Sequence, residues 1–549
     1  MKTAKKFLAL FLAAAMVLAL CCACGKTGDT PEAGNPTVEK TDTTSNAAEA
    51  EIAEVMAERL TVAVEDDSFT VAPFGSEGGL RDWTVRLVWG TLAYRPFIGA
   101  MLDKGELDLI MAKEITKIDG TTYKVVLHEG ITDSKGNSIK ASDVAFSFDT
   151  LRELGFESNI NTYYDSCKVL GDYELELKLT ADTEGAIENV LNDGTICSQK
   201  WYEGASDDEI QNNPATTGPY TVSNLETAAS VTFTARDYWK TDDALKSIVE
   251  YQNVKDITVK CIAEASMRAV SLENKEIDLA EVGTNDVGLF TNNDGFTVAS
   301  YDQTMNQYLL FNTSENSPCN DVRVRQAIAY AFDTWTMFLG YGHDQGVVNK
   351  DVCPSGTPDY QAEWLDASYY DRNLDKAKEL LKEAGYGDGE LHINIMTVAQ
   401  APQGTAVALQ AMLQEAGIDA EIVPYDRALY FEYIYDDTKW DICNPGTHVT
   451  DFATSFWNEI FNDSNYERGT QGFTVDAKLQ ELLDKASADR SPENMKAFHD
   501  YYTEQCYALG LFHEIKSVVA QSGVEQITLS MATPILNAMQ FADDYQPAK

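Results

Sequence analysis

The residue types that most often carry enzyme chemistry are present in this chain, but their spacing is not that of a catalytic or metal site. Its six histidines are scattered over 549 residues. The sequence contains no G-x-S-x-G nucleophile motif, no H-E-x-x-H zinc motif, no Walker loop and no G-x-G-x-x-G motif. Asp133 does not open a calcium loop, because Lys135 stands where the third ligand is required. We therefore expect neither an enzyme nor a protein that holds a metal or a cofactor.

The ten cysteines predict a lipid site rather than a disulfide framework. Cys21, Cys22 and Cys24 crowd the N-terminus, and the other seven are widely spaced. Seven is an odd number, and these cysteines form no C-x-x-C pair, so we expect mainly buried free thiols that pack as small apolar groups. They are Cys167, Cys197, Cys261, Cys319, Cys353, Cys443 and Cys506.

The first 24 residues have the three parts of an export signal. Three lysines precede an uncharged apolar run over residues 7–20, which is too short to span a bilayer comfortably. Ala-Cys-Gly at 23–25 resembles the bacterial lipobox, which makes Cys24 the predicted lipidation site, with Cys22 as a fallback and an ordinary cleaved signal as the alternative. Residues 25–57 are poor in large apolar groups and predict a flexible tether.

The charge of the chain excludes several classes of partner. Its formal net charge is -45, from 42 basic and 87 acidic residues. Nucleic-acid binding requires clustered Lys and Arg, and docking on anionic lipid requires a basic surface. The charge favours solubility outside the cell, and attraction of cationic ligands is the alternative.

The elements that must position any binding residues are clearest in the second half of the chain. Apolar residues recur at three and four positions over 374–384, ahead of Gly385, which predicts a helix with a glycine cap. A strand is predicted at 391–395, a helix at 406–416 and a strand at 420–423. This helix–strand alternation predicts an α/β unit with parallel pairing.

The first half of the chain reads as strands and hairpins, with a helix from Ala141 capped by Ser142 or Asp143. A further helix is predicted between Asp321 and Phe332, with Asp321 as its N-cap. The predicted strands cover 60–64, 123–127, 173–179, 218–222, 230–234 and 257–261.

Four segments in this order resemble the peptide-, nickel- and cellobiose-type solute-binding proteins of bacterial ABC importers, solute-binding family five. They are Leu127–Ser147, Thr217-Gly-Pro-Tyr-Thr-Val222 followed by Arg236-Asp-Tyr-Trp239, Asp321-Val-Arg-Val-Arg-Gln-Ala-Ile-Ala-Tyr-Ala-Phe-Asp333, and Asp375–Tyr386. The resemblance covers residues 58–549.

The resemblance implies an α/β, two-lobed, periplasmic-binding-protein-like fold of the large peptide-binding class, with a hinge between the lobes. The first lobe is expected to comprise 58–305 and 518–549, with a small subdomain at about 90–215, and the second lobe 306–517. The chain would cross between lobes near Leu310 and Leu511. Peptide-binding members hold the ligand's α-ammonium with a carboxylate of the second lobe, and the corresponding region here makes Asp451 the candidate. Trp440, Thr447 and His448 are further candidate ligand contacts.

The expected function is therefore that of a lipid-anchored, monomeric receptor on the outer face of the cell membrane, or in a periplasm. It would capture a short peptide and deliver it to an ABC permease. An oligosaccharide is the alternative ligand, and a nickel chelate is less favoured because no histidine cluster exists. A secreted hydrolase and an adhesin or sensor without a permease remain as hypotheses of other classes.

Overall fold

The computed structural model of the chain describes residues 56–65, 71–75, 80–95, 97–98, 103–104, 107–155, 158–182, 185–301, 305–341, 346–355, 357, 359–365, 369–399, 403–448, 452–462, 472–474, 476–530 and 533–549. The chain divides into two compact units, 1–43 and 44–549, and the described residues all belong to the second. The predicted signal peptide, Cys24 and nearly all of the tether lie outside the described residues.

The first large sheet is built mainly from the N-terminal half of the chain. Its central strand, Ala57–Val64, pairs in parallel with Val254–Cys261 and Leu279–Val282. Leu60 and Val62 contribute to one apolar core and Ala63 to another, so this strand is covered on both faces. The order of the seven described strands is Tyr220–Glu226, Ser230–Ala235, Val254–Cys261, Ala57–Val64, Leu279–Val282, Lys516–Gln521 and Phe296–Tyr301.

The second large sheet lies between two further apolar cores. Along strand Met305–Phe311, Leu309 and Phe311 belong to one core, whereas Tyr308 and Leu310 belong to the other. This alternation follows from the two-residue period of a strand. The order of its described strands is Gly346–Val348, Ala508–Glu514, Met305–Phe311, Ile442–Cys443, Leu391–Val398 and Ile418–Tyr425, and Gly446–His448 also pairs with Met305–Phe311.

The chain passes twice between the two sheets. Residues 302–304 connect Phe296–Tyr301 to Met305–Phe311, and Ile515 connects Ala508–Glu514 to Lys516–Gln521. Leu310 and Leu511, near which the crossings were expected, lie inside strands of the second sheet. The strand after Ile515 already pairs with the first sheet, because an antiparallel ladder joins Lys516–Gln521 to Phe296–Tyr301.

Smaller sheets and helices complete the described architecture. A four-stranded antiparallel sheet contains Ala112–Lys117, Thr122–Leu127, Glu174–Leu179 and Tyr164–Gly171. Two-stranded pairs join Ala93–Tyr94 to Asp108–Leu109, Phe97–Ile98 to Asp103–Lys104, Val524–Gln526 to Gln540–Phe541, and Leu529–Ser530 to Thr533–Pro534. The α-helices are Leu80–Val88, Ala141–Leu154, Ser158–Tyr163, Ala186–Asp193, Gln199–Gly204, Asp207–Asn212, Ala265–Glu273, Thr284–Val287, Val322–Ala331, Thr334–Tyr341, Ala362–Leu365, Leu374–Ala384, Gly404–Glu415, Arg427–Tyr433, Ala453–Phe461, Ala477–Ala488 and Pro492–Glu504.

The segment around Thr217-Gly-Pro-Tyr is a structural joint. The Arg236 guanidinium donates to the carbonyl oxygens of Gly218 at 2.7 Å, Thr132 at 3.0 Å and Thr217 at 3.3 Å. A side chain at Gly218 would lie 2.5 Å from the carbonyl oxygen of Leu87, so only glycine allows this approach. This motif therefore fixes the fold and carries no ligand chemistry of its own.

The main predicted elements of the second half are confirmed. The helix Leu374–Ala384 ends at Gly385, whose φ is 97°, and strands Leu391–Val398 and Ile418–Tyr425 pair in parallel. Asp321 caps the helix Val322–Ala331, as expected, by accepting the Arg323 N–H at 2.9 Å.

The predicted cap of the helix Ala141–Leu154 is wrong in position. Lys140 is the N-cap residue, and Asp143 reaches back to accept the Lys140 N–H at 2.8 Å. The helix begins at Ala141, as expected, but its N-cap is the residue before it, so Asp143 lies in the first turn and its side chain caps from inside that turn.

Candidate functional site

One end of the second sheet lies where the chain crosses to the first sheet. Asn306 is five residues after Tyr301 of the first sheet, and His513 is three residues before Lys516. Because a chain of n residues spans at most about 3.3–3.6 Å times n, three residues keep His513 within about 11 Å of the first sheet. We call this end of the second sheet, marked by the cross-strand pair Asn306 and His513, the hinge end.

The short strand Gly446–His448 reaches the hinge end. It follows Ile442–Cys443 and continues the antiparallel pairing with Met305–Phe311, in which Thr447 is opposite Asn306 and His448 is opposite Met305. The structure thus places Thr447 beside Asn306 in the sheet, and His448 one residue further along the strand, beside Met305. Their contact with a ligand stays a prediction.

Asp451, the candidate for binding an ammonium group, lies outside the described residues. The helix that follows it, Ala453–Phe461, is described from its first turn, and Asp359 accepts the N–H of Ala453 at 2.7 Å. A carboxylate at this position stabilises the positive end of the helix dipole. The proposed role of Asp451 therefore depends on the sequence resemblance.

Trp440 is placed in the core rather than on an open surface. Only 2% of the residue is exposed, and its ring lies 5.9 Å from that of Phe473. Its carbonyl oxygen accepts the Asn312 amide at 2.7 Å, which anchors the start of this segment to the second sheet. Trp440 therefore packs in an apolar core of the second sheet, and its stacking on a ligand stays a prediction.

Asn306 presents an unsatisfied acceptor at the hinge end. Its side-chain nitrogen donates to the carbonyl oxygens of Asp351 at 2.7 Å and Val352 at 3.4 Å. These bonds fix which end of the amide faces the 351–352 segment. The other end, Oδ1, is shielded from solvent and has no hydrogen-bond partner. Asn306 itself is fully buried.

His513 presents a second unsatisfied atom beside it. Its Nε2 lies 3.0 Å from the Ser355 hydroxyl, whereas Nδ1 is buried without a partner. Burial lowers the pKa of His513 from 6.5 to about 4, because the charged imidazolium would lose its hydration. The ring is therefore neutral at neutral pH and can offer either a donor or an acceptor at Nδ1.

A buried polar cluster holds the segment that covers this pair. The Asp351 carboxylate accepts the Tyr502 hydroxyl and lies 2.7 Å from His499 Nε2. The His499 ring stacks on Trp364 with ring centroids 4.6 Å apart. The carboxylate also accepts the Cys353 N–H at 2.7 Å. These contacts fix the backbone carbonyls that orient Asn306.

A shallow concavity of about 640 Å³ lies elsewhere and shares no residue with the hinge end. It is open and polar, and it is formed where the turn at 136–138 meets the starts of two helices. A site that buries a ligand should be enclosed and largely apolar, so this open polar concavity is a poor candidate for one. Its lining residues are Gly136, Asn137, Ser138, Ser142, Asp143, Ser198, Gln199, Lys200 and Glu203.

Sequence reasoning did not single out Asn306, Asp351, His499 or His513. Their spacing gives no signal, because the strands and the covering segment that unite them are far apart in the chain. Within the described residues, no group of three or more His, Cys, Asp or Glu side chains could hold a metal ion. No described helix has both the length and the apolar character needed to cross a membrane. The seven cysteines beyond residue 24 are free thiols.

Comparisons with known proteins agree with this architecture. Residues 107–467 match the family model of bacterial extracellular solute-binding proteins, family 5 Middle. The dipeptide-binding protein of Escherichia coli is 23% identical over 384 residues, which are 64% of this chain and 69% of that protein. Heme-binding protein A of Haemophilus influenzae is 29% identical over 228 residues, which are 40% of this chain and 39% of that protein.

A solved structure supports the fold independently. The oligopeptide-binding protein AppA of Bacillus subtilis, in complex with a nonapeptide, superposes with a TM-score of 0.71. The match covers 89% of this chain and all of that chain, at 17% sequence identity. At this identity the likeness establishes the two-lobed α/β fold with a hinge between the lobes.

Proposed function

Since this chain belongs to the bacterial extracellular solute-binding proteins of family 5, we propose that its solute is a short peptide and that it delivers this peptide to an ABC permease. The observation that carries the proposal is the family match over 107–467, which spans most of both large sheets. The names of the similar dipeptide- and oligopeptide-binding proteins support a peptide as the ligand.

The two large sheets are the proposed cores of two lobes that close on the ligand. The expected lobes, 58–305 with 518–549 and 306–517, are adjusted to the sheets: we assign 58–301 and 516–549 to the first lobe, with a small subdomain at about 90–215, and 305–514 to the second. The links at 302–304 and Ile515 are the proposed hinge, since they are the two connections between the sheets. Double links of this kind allow rotation of one lobe against the other while the strands on either side stay intact.

The remaining parts of the proposal concern the anchor and the partners. Cys24 carries the lipid that holds the protein at the outer face of the membrane, the tether gives it reach, and the receptor acts as a monomer without enzyme activity. The net charge of -45 supports a soluble body held off an anionic membrane surface.

The ligand class is tested by native mass spectrometry on the chain from residue 50, purified without denaturation and exposed to a tripeptide library. We expect peptide-sized mass shifts, with the released ligand sequenced by fragmentation. A bound oligosaccharide, a bound heme, or a bare mass that no tripeptide shifts would refute the peptide proposal.

The role of Asp451 is tested in the same experiment with Asp451→Asn. A carboxylate that binds the α-ammonium makes the wild type prefer free-amine tripeptides over N-acetylated ones, because a neutral group cannot repay the lost charge-assisted bond. Asp451→Asn should lose this preference. Asp388→Asn, which removes an exposed charge from the same sheet-and-helix unit, is the matched control and should retain it.

A further inference from the structure

Two unsatisfied atoms belong to directly opposite residues at the hinge end. Asn306 and His513 are directly opposite in an antiparallel pair, which places their side chains on the same face of the second sheet. Asn306 Oδ1 and His513 Nδ1 both lack a partner and are both shielded from solvent. Buried polar groups are nearly always hydrogen-bonded, so two neighbouring exceptions indicate a partner from outside the chain.

Hydrogen bonds within the chain determine which donor or acceptor groups that partner must provide. The bonds from Asn306 to Asp351 and Val352 hold its amide so that Oδ1 is the free end and can only accept. Neither side chain carries a charge at neutral pH, since an amide is uncharged and His513 is buried with the neutral hydroxyl of Ser355 on its Nε2. In one tautomer the pair offers an acceptor and a donor, and in the other it offers two acceptors. Both cases require a group with at least one N–H or O–H, and burial beside two uncharged side chains favours an uncharged group, because a charge buried without a counter-charge is costly.

We propose that Asn306 and His513 form a subsite at the hinge end that binds an uncharged peptide amide of the ligand. This inference rests on the proposed function and names which part of the ligand the pair recognises. The N–H and C=O of one residue in an extended peptide point to the same side, so that residue satisfies the pair in the mixed tautomer and its N–H donates to Asn306 in either.

The subsite complements the predicted ammonium site. Thr447 pairs with Asn306 on the opposite side from His513, so one strand residue connects the subsite to the segment that leads to Asp451. A charged end group and an uncharged backbone group would thus be recognised by different elements. We expect opening of the two proposed lobes to give the ligand access to the buried pair.

The test compares Asn306→Leu with Asn537→Leu. Both residues are buried, but the Asn537 amide donates to the carbonyls of Tyr251 at 2.9 Å and Ile248 at 3.3 Å, just before a strand of the first sheet. We expect Asn306→Leu to weaken tripeptide binding tenfold or more, because the ligand loses its acceptor. Asn537→Leu should lower the unfolding temperature and leave the affinity unchanged.

Binding is measured by calorimetry with the tripeptide that the wild type selects, and folding by thermal unfolding. His513→Phe is the second variant, and we expect it to bind the tripeptide at least tenfold more weakly. It replaces Asn306→Leu in the test if that variant does not fold. Equal peptide affinity in the wild type and both variants would overturn the subsite while leaving the receptor proposal intact. A wild type that binds only an oligosaccharide, or nothing in either library, would overturn both.

Discussion

At the scale of single residues, His513 couples the hinge end to pH. Burial alone lowers its pKa from 6.5 to about 4. Between these values the unfolded chain binds a proton that the folded protein does not bind, so the free energy of unfolding rises with pH in this window. The contribution of His513 to stability is therefore complete above about pH 6.5 and is lost as the pH falls towards 4.

We expect the His513→Gln variant to be less sensitive to mild acid than the wild type. Each pH unit in the window is worth about 1.36 kcal/mol, so the wild type should lose roughly 2 kcal/mol more than the variant between pH 6.5 and pH 5. Urea unfolding at several pH values measures this difference. The control is His392→Gln: His392 is exposed and its bond to Asp419 raises its pKa, so its loss should not reduce acid sensitivity. Parallel curves for wild type and His513→Gln would contradict the prediction.

The residue scale is also where the sequence was least informative. Thr447 and His448 were predicted near a ligand because of the resemblance around Trp440, and their places in a strand beside Asn306 emerge only from the sheet register. The unsatisfied atoms of Asn306 and His513 could not be predicted, because burial and hydrogen bonding depend on which distant segments meet. A period-two pattern shows which residues of a strand share a face, but it does not show which other strands lie beside it.

At the scale of elements, one strand and one loop are packed against each other through a glycine. A side chain at Gly510 would overlap the carbonyl oxygen of Asp351, because the strand Ala508–Glu514 and the 349–353 segment touch backbone to backbone. The Gly510 N–H donates to Lys350 O at 3.2 Å in the same contact. This packing positions the carbonyls that orient Asn306.

The Gly510→Ala variant should therefore be destabilised. Forcing a methyl group into a closely packed site costs about 1–3 kcal/mol, and here the opposing atoms are backbone that cannot rotate away. We expect a lower urea midpoint and weaker tripeptide binding together. Gly204→Ala is the matched control, since nothing lies within 4 Å of its added methyl group, and it should shift stability by less than about 0.5 kcal/mol. Equal midpoints for the two variants would show that the contact relaxes freely.

Elements with strong local signals were predictable. The helix Leu374–Ala384 combines an apolar face with Gly385 at its end, and the parallel pair that follows obeys the helix–strand alternation of the sequence. The cap of the helix Ala141–Leu154 was misplaced by two to three residues, because Ser142 and Asp143 both carry side chains that can bond to the first turn. That Lys516–Gln521 joins the first sheet could not be predicted from local sequence, because the strand pairs with residues more than 200 positions away.

At the scale of the whole molecule, the sheet order explains how one chain can form two lobes that move together. The first sheet takes Lys516–Gln521 from the C-terminal part of the chain, between two strands from the middle of the chain, Leu279–Val282 and Phe296–Tyr301. Each crossing is short, with three residues in one link and one residue in the other. Short links restrict the lobes to a hinge motion and prevent them from separating freely.

This geometry predicts closure on ligand binding. We expect a peptide at the hinge end to contact the second lobe first, and rotation of the lobes then to bury it against the first lobe, which would remove apolar and amide surface from water. Small-angle X-ray scattering should show a smaller radius of gyration for the wild type when the selected tripeptide is added. Asn306→Leu at the same peptide concentration should remain at the larger value, and recover the smaller one only at peptide concentrations at least tenfold higher. A radius unchanged by saturating peptide would mean that the lobes are already closed without ligand, and that binding proceeds by local opening of the hinge end rather than by movement of whole lobes.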